Sequence, residues 1–334
     1  MPIILAIESS CDNSSLCIIK NNKEIIFYKN FNQDHMIEKY GGYVPRIIVD
    51  GHIINFKHII NELGLLNIKQ IDYIAICCGP GLIMSLNIGY VVGIALSIYY
   101  NAKVIYIDHI EAHMWSHLIT DHNTSVDEQF LSIMMSGGHS IIADVNINNV
   151  KILAKSIDDS PGEVFDKIAF HLKVHPLNGC GIEKNSVNGI QIDSLVNLNN
   201  SRKRNISNFY HMSFSGIKTR ILNYINKNHV YKKENICISS QILIYNEIYK
   251  AVKYILKYKN PNYISCVGGV MANNFIKNKL IQDFGNNNTI KFVDIRYAGD
   301  NAVMIANLAY LLIKKNKFKS SCCYQLIPYD RFIV

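Results

Sequence analysis

Three histidines stand four residues apart in the run IDHIEAHMWSH: His109, His113 and His117. Residues at i and i+4 share one face of a helix. His109 and His113 can therefore offer two imidazole nitrogens to one metal ion, at about 2.0–2.1 Å for zinc. Neutral imidazole suits zinc and ferrous iron alike. Asp108 stands where an N-cap belongs. Glu111 comes two residues after His109, so it points away from the ligand face. The glutamate of an H-E-x-x-H peptidase shares that face, which argues against peptidase chemistry. His117, one turn further, reads as structural. The same spacing also occurs on ordinary helices, so the pair alone does not decide.

Other stretches carry chemistry of a different kind. MMSGGHS (134–140) follows a strand with a Gly-Gly turn, and exposed backbone N–H groups in such a turn can cradle a phosphate. CVGGVMANN (266–274) reads as strand, Gly-Gly, helix, where a flat base or ribose can lie against backbone and Asn273 offers an amide. EVFDK places Asp166 on a helix, and YAGDNAVMIA places Asp300 just before one, as an N-cap whose outer oxygen can also reach a metal. The basic run SRKR (201–204), with Lys218 and Arg220, could meet phosphates or simply be a solvated face.

These residues need elements to hold them. IILAIES, LCIIKN and KEIIFYKN form a strand meander, followed by a helix over 47–63, the strand IDYIAICCG, a helix over 82–100 and the strand KVIYID. The pattern then restarts. FLSIMM, SIIADVN and KILAKSI make a second meander, its turn SGGHS taking the place of SCDNSS. A helix in SPGEVFDKIAFHLK follows, a long helix over 237–259, the strand YISCVGG, a helix in NNFIKNKLIQDFG, the strand TIKFVD and a last helix from Asn301 to Lys315. Residues 185–235 read as an irregular insertion. Two such halves make a duplicated, actin-like α/β fold, with a nucleotide held between the halves by the two hairpin turns. The boundary is expected between 108 and 109, the second half starting with the histidine helix.

The 334 residues suffice for two domains. A hydrophobic share of 49% excludes a disordered chain. The net charge of +8 permits an anionic partner, although the Asn, Lys, Ile and Tyr bias adds lysines without function. Nine cysteines, an odd count with two doublets and no C-x-x-C, suit a reducing cytoplasm rather than a disulfide framework. Gly81 to Tyr100 is 20 residues without a charge, long enough for a bilayer, but its glycines and flanking strands read as a helix packed under a sheet, so no membrane is expected.

Taken together, ILAIESSCD, YGGYVP, CCGPGLIMSLNIGYVVGIALS, DHIEAHMWSH, MMSGGHS, GEVFDK, FSGIKT, GGVMANN and YAGDNAVMIA occur in one family's order across residues 4 to 306. The chain resembles the tRNA adenosine threonylcarbamoyltransferases, the bacterial TsaD proteins once misnamed O-sialoglycoprotein endopeptidases. The resemblance implies an actin-like ATPase-superfamily (ASKHA) fold of two ribonuclease-H-like halves with a nucleotide and metal cleft between them. It implies one divalent metal, Fe(2+) in most bacterial descriptions, with Zn(2+) the alternative. By motif match His109, His113 and Asp300 are its ligands. Met134, Met135, Ser136, Gly137 and Gly138 match the segment holding the substrate. Asp166, Gly179 and Asn273 match positions holding the adenylate's ribose and base. Asp12 matches an aspartate near the phosphate and is the catalytic candidate.

The reaction so implied moves a threonylcarbamoyl group from threonylcarbamoyl-AMP to the exocyclic amine of adenosine-37, in tRNAs reading codons that begin with A. A paralogous actin-like subunit and a small ATPase are the implied partners. The alternative is a catalytically degenerate scaffold subunit of the same complex. Departures from the family pattern feed that alternative: Asn13 for Glu, Arg46 for Glu, Asp50 for Arg, Asn178 and Cys180 beside Gly179, and Gly299 for Thr.

Overall fold

The structure is a computed structural model. It describes residues 2–21, 24–33, 44–121, 123–196, 205–206, 208–228 and 230–317. Most of YGGYVP, the SRKR run and the Cys322–Cys323 doublet lie outside the described residues. The chain divides into two compact units, residues 1–124 with the segment from Asp300 onward, and residues 125–299. The boundary expected at 108/109 thus falls inside the first unit. The reason is packing: the histidine segment and the helix Ala302–Lys314 both seat on the first sheet and its neighbours.

The first unit is built on five strands in the order β3-β2-β1-β4-β5. These are β1 (Ile3–Glu8), β2 (Ser14–Lys20), β3 (Glu24–Phe31), β4 (Tyr73–Gly79) and β5 (Lys103–Asp108). β1 to β3 are the antiparallel meander, while β1, β4 and β5 run parallel. Helix α1 (Pro45–Gly64) starts on proline, whose fixed φ suits the first helical position. It carries Arg46 and Asp50, both exposed. Helix α2 (Ile83–Tyr100) ends at Asn101 in the left-handed region. A Cβ on Gly89 would come within 2.2 Å of Ser9 Oγ, so glycine lets α2 lie here without turning that hydroxyl away from the Ser85 carbonyl. Leu5, Ile7, Leu16, Ile18, Phe56, Ile59, Ile74 and Ile76 form the core. α2 was expected to be buried. It docks through Ser85, Leu86, Gly89, Gly93 and Leu96, while Ile83, Met84, Val91, Ile98 and Tyr99 stay exposed. By length and composition it could also cross a membrane. Helix α3 (His109–Met114) follows β5 directly.

The second unit has seven strands in the order β12-β11-β6-β7-β8-β10-β9. They are β6 (Phe130–Met135), β7 (Ser140–Asn146), β8 (Asn149–Ser156), β9 (Asn205–Ile206), β10 (Phe209–Met212), β11 (Ile264–Val267) and β12 (Ile290–Phe292). Helix α4 (Pro161–Leu172) begins with a capping box between Ser160 and Glu163. Then come α5 (Gly179–Asn185), α6 (Asp193–Val196), α7 (Ser215–Lys227), α8 (Lys233–Ile255) and α9 (Asn274–Phe284). The stretch 185–235 is therefore not simply irregular. β10 extends the sheet beside β8, and α7 packs Ile217 and Ile221 into the core.

Candidate functional site

Asp108 accepts the Glu111 N–H at 2.8 Å and starts α3 one residue later, at His109. The His109 and His113 rings lie 4.8 Å apart at 86°. Asp300, in the loop before helix Ala302–Lys314, brings Oδ1 to 2.9 Å from His113 Nε2 and 3.6 Å from His109 Nε2. The ligand atoms of His109, His113 and Asp300 all lie within 4.8 Å of one another. His109 Nδ1 faces Glu8 Oε2 at 3.1 Å and Ser10 Oγ at 3.2 Å. Glu8 Oε1 accepts the Ser10 N–H at 2.6 Å. A carboxylate behind one ring nitrogen holds the imidazole in place and aims the other nitrogen at the ligand cluster.

The electrostatics favour positive charge at this point. Burial works against a charged His109, yet the Glu8 and Asp300 carboxylates raise its pKa to about 9. Burial would lift Glu8, but the His109 charge and hydrogen bond outweigh it and its carboxyl stays below the ordinary range. Two imidazoles and a carboxylate converging on a point that stabilises a cation fit a divalent metal such as Fe(II) or Zn(II). His113 Nδ1 is buried with no hydrogen-bond partner among the described residues. A second triplet, Glu8, Cys77 and His109, also brings three donor atoms within 4.8 Å. It is the poorer set, because burial holds the Cys77 thiol protonated and Glu8 already serves His109 and Ser10. Asp12 is half-buried in the turn between β1 and β2. His117 is buried and donates from Nδ1 to the Met114 carbonyl at 3.1 Å, a structural role.

The second unit contains a cavity of about 660 Å³ lined by Gly137, Asp166, Gly179 and Asn273, together with Phe165 and Val270. Four of the eight expected substrate residues therefore share one cavity. Met134 and Met135 are wholly buried within β6 and do not line it. Ser136 closes the turn, its N–H donating to His139 O at 2.8 Å, and Gly137 and Gly138 are exposed at the tip. The start of α4 lies against this turn. Ser160 Oγ donates to the Gly137 carbonyl, and a Cβ on Gly162 would come within 2.7 Å of Gly137 Cα. Asn273 is not a spare amide: Oδ1 caps α9 through the Ile276 N–H at 3.1 Å, and Nδ2 donates to Gln241 Oε1 at 2.8 Å. Asn178, one of the departures, caps α5 by accepting the Cys180 N–H at 3.0 Å.

The spacing of the sequence assigns Glu8 and Ser10 no role. A glutamate closing the apolar run IILAI was the available signal, since a buried charge needs a partner. That partner is 101 residues away.

Two meander-based α/β units and a metal-ready histidine pair define a duplicated, actin-like α/β protein. Solved structures agree on the fold. Full-length HypF, in its phosphate- and nucleotide-bound form, superposes with a TM-score of 0.63 at 13% identity, over 95% of this chain and 56% of that one. The activator of the 2-hydroxyisocaproyl-CoA dehydratase from Clostridium difficile, with bound ADPNP, gives 0.53 at 14% identity over 96% of this chain and 100% of that one. The family model for TsaD, tRNA N6-adenosine threonylcarbamoyltransferase, matches residues 24–307. Curated proteins of that name are similar over nearly their whole length. The one from Mycoplasma mobile is 34% identical over 94% of this chain and 99% of its own. The one from Mycoplasma capricolum subsp. capricolum is 36% identical over the same shares. The chain belongs to the tRNA N6-adenosine threonylcarbamoyltransferase family and is a transferase.

Proposed function

We propose that this chain transfers the threonylcarbamoyl group from threonylcarbamoyl-AMP to the exocyclic amine of adenosine-37, in tRNAs reading codons that begin with A. The observation that carries the reading is the convergence of His109, His113 and Asp300, with Glu8 behind His109. A degenerate scaffold has no use for a buried, charge-matched ligand set. His109, His113 and Asp300 hold one divalent cation, ferrous iron in the first instance and zinc as the alternative. When bound, that ion polarises the carbamoyl carbonyl.

Asp166, Gly179 and the backbone around Asn273 bind the adenylate's ribose and base in the second unit's cavity. The exposed N–H groups at Gly137 and Gly138 take the phosphate. Met134 and Met135 act as the buried strand behind that turn rather than as contacts. The amine nitrogen bonds to the carbamoyl carbon, the bond from that carbon to the phosphate oxygen breaks, and AMP leaves with the electron pair. The amine's proton passes to Asp12 or to water. An exocyclic amine is a weak nucleophile, so positioning supplies much of the rate. A paralogous actin-like subunit and a small ATPase assemble with the chain in the cytoplasm.

The test is transfer of labelled threonylcarbamoyl from preformed adenylate to unmodified tRNA, with those partners supplied. Wild type should transfer, and His113→Ala should lose at least about a hundredfold, in line with loss of one metal ligand. A folded wild type without transfer would replace this reading with the scaffold, whereas a fully active His113→Ala would keep the transferase and remove the metal role of His113.

A further inference from the structure

Asp300 is held by more than its two histidines. Its backbone carbonyl accepts Asn13 Nδ2 at 2.8 Å and Asn30 Nδ2 at 3.1 Å. Asn13 Nδ2 also lies 3.4 Å from Asn30 Oδ1, so each amide orients the other. Two residues on, the Ala302 N–H donates to Ser15 Oγ at 2.9 Å. Ser15 and Asn30 are directly paired across β2 and β3. One end of the β2–β3 ribbon therefore grips the chain at the Asp300 carbonyl and again at the Ala302 N–H, just after the Asp300 side chain. Asn301 completes the grip by capping the following helix through the Met304 N–H at 3.0 Å.

This arrangement anchors the peptide unit that follows the Asp300 Cα, and so restrains the backbone from which Oδ1 reaches His113 and His109. The carboxylate is the ligand that most needs such help. Both histidines are buried on a helix that is itself capped, whereas the Asp300 side chain is 26% exposed at the end of a loop. Asn13 is also one of this chain's departures from the family pattern. A carboxylate in the same place would set oxygen against the Asp300 carbonyl oxygen. An amide donates to it instead.

We infer that Asn13 and Asn30 are positioning residues for the Asp300 metal ligand, acting through its backbone carbonyl. The inference rests on the metal reading of the His109, His113 and Asp300 cluster. It requires that loss of the donors change the metal's environment and not just the protein's stability.

The experiment titrates the full chain with cobalt(II), recording the visible absorption bands and measuring affinity by competition with a chelator. Wild type is compared with Asn13→Asp, with the double variant Asn13→Ala/Asn30→Ala, and with His113→Ala. Thermal unfolding is followed for each. Asn13→Asp keeps the side chain's size but replaces the donor with a charged acceptor facing the Asp300 carbonyl, and the uncharged double variant separates loss of the donor from the added charge. The expected result is a cobalt affinity weakened about tenfold or more, with shifted bands, in an Asn13→Asp protein that melts near the wild-type temperature. Wild-type affinity and bands in both asparagine variants, alongside lost binding in His113→Ala, would overturn this inference and leave the metal site standing. Equally poor binding by wild type and His113→Ala would remove the metal site and this inference with it.

Discussion

The two units carry equivalent hairpin turns after their first strands, and they use them in opposite ways. The turn after β1 works through side chains. Ser10 faces His109, Asn13 holds Asp300, and Ser14 Oγ meets His52 Nδ1 at 2.8 Å while His52 Nε2 donates to the Cys11 carbonyl at 2.9 Å. The turn after β6 has given up side chains at its tip. Gly137 and Gly138 lie exposed, and the start of α4 is pulled down onto them by Ser160 and made possible by Gly162. A duplicated topology supplies two similar places. Serine and asparagine in one hold the His109 ring and the Asp300 carbonyl, and glycine in the other leaves backbone exposed.

That contrast can be broken most severely at Gly162. Gly162→Val places a Cβ 2.7 Å from Gly137 Cα and 2.8 Å from Ser136 O, both backbone atoms that cannot swing aside. It should cost about 1–3 kcal/mol or more, read by denaturant unfolding, while cobalt binding in the first unit stays at wild-type strength. Unchanged stability would mean that α4 does not need to sit on the turn.

Two serine truncations sharpen the difference. Ser14→Ala leaves the fully buried His52 Nδ1 without its hydroxyl and should cost about 2 kcal/mol, near the middle of the range for an orphaned buried polar group. Ser160→Ala removes a helix cap at the second turn and should cost about 1 kcal/mol. Equal losses would erase the distinction between a side-chain turn and a backbone turn.

The smallest effect concerns Asp158, beside the second turn's helix. Burial would raise its carboxyl, but hydrogen bonds from the Ser213 and Ser215 hydroxyls and the Phe214 and Ser215 N–H groups lower its pKa below the ordinary value. A depressed folded-state pKa adds stability above the unfolded-state value, and that stability is lost as pH falls through the folded-state value. The melting temperature of Asp158→Asn should therefore sit below that of wild type at neutral pH and approach it in acid. Parallel melting curves at both pH values would contradict this.

Local signals carried the strands and helices well. The apolar runs in IILAIE and SSLCIIK and the Asp108 and Ser160 caps need only neighbours in sequence. They carried β10 and α7 poorly. FYHM is four residues long, and it becomes a strand because Tyr210 pairs with Ala154 of β8. The site follows the same rule. His109 and His113 were legible as a pair because four residues separate them. Glu8, Asn13 and Asn30 were not, because each acts on a residue about a hundred or more positions away. Asn273 was legible as a cavity residue, but its amide is committed to Gln241 and to α9, which sequence spacing does not reveal.

The Asp300 carboxylate follows His113 by 187 residues, with the whole second unit between them. At about 5–20 residues per second of synthesis, roughly 10–40 s pass between the emergence of the two. During that interval the nascent first unit holds its histidines and Glu8 but lacks both Asp300 and the helix that seats on β1 and β2. On the proposed metal reading, a complete ligand set is thereby deferred until Asp300 has been synthesised. An ion that needs only two imidazoles has a head start over one that needs the carboxylate too.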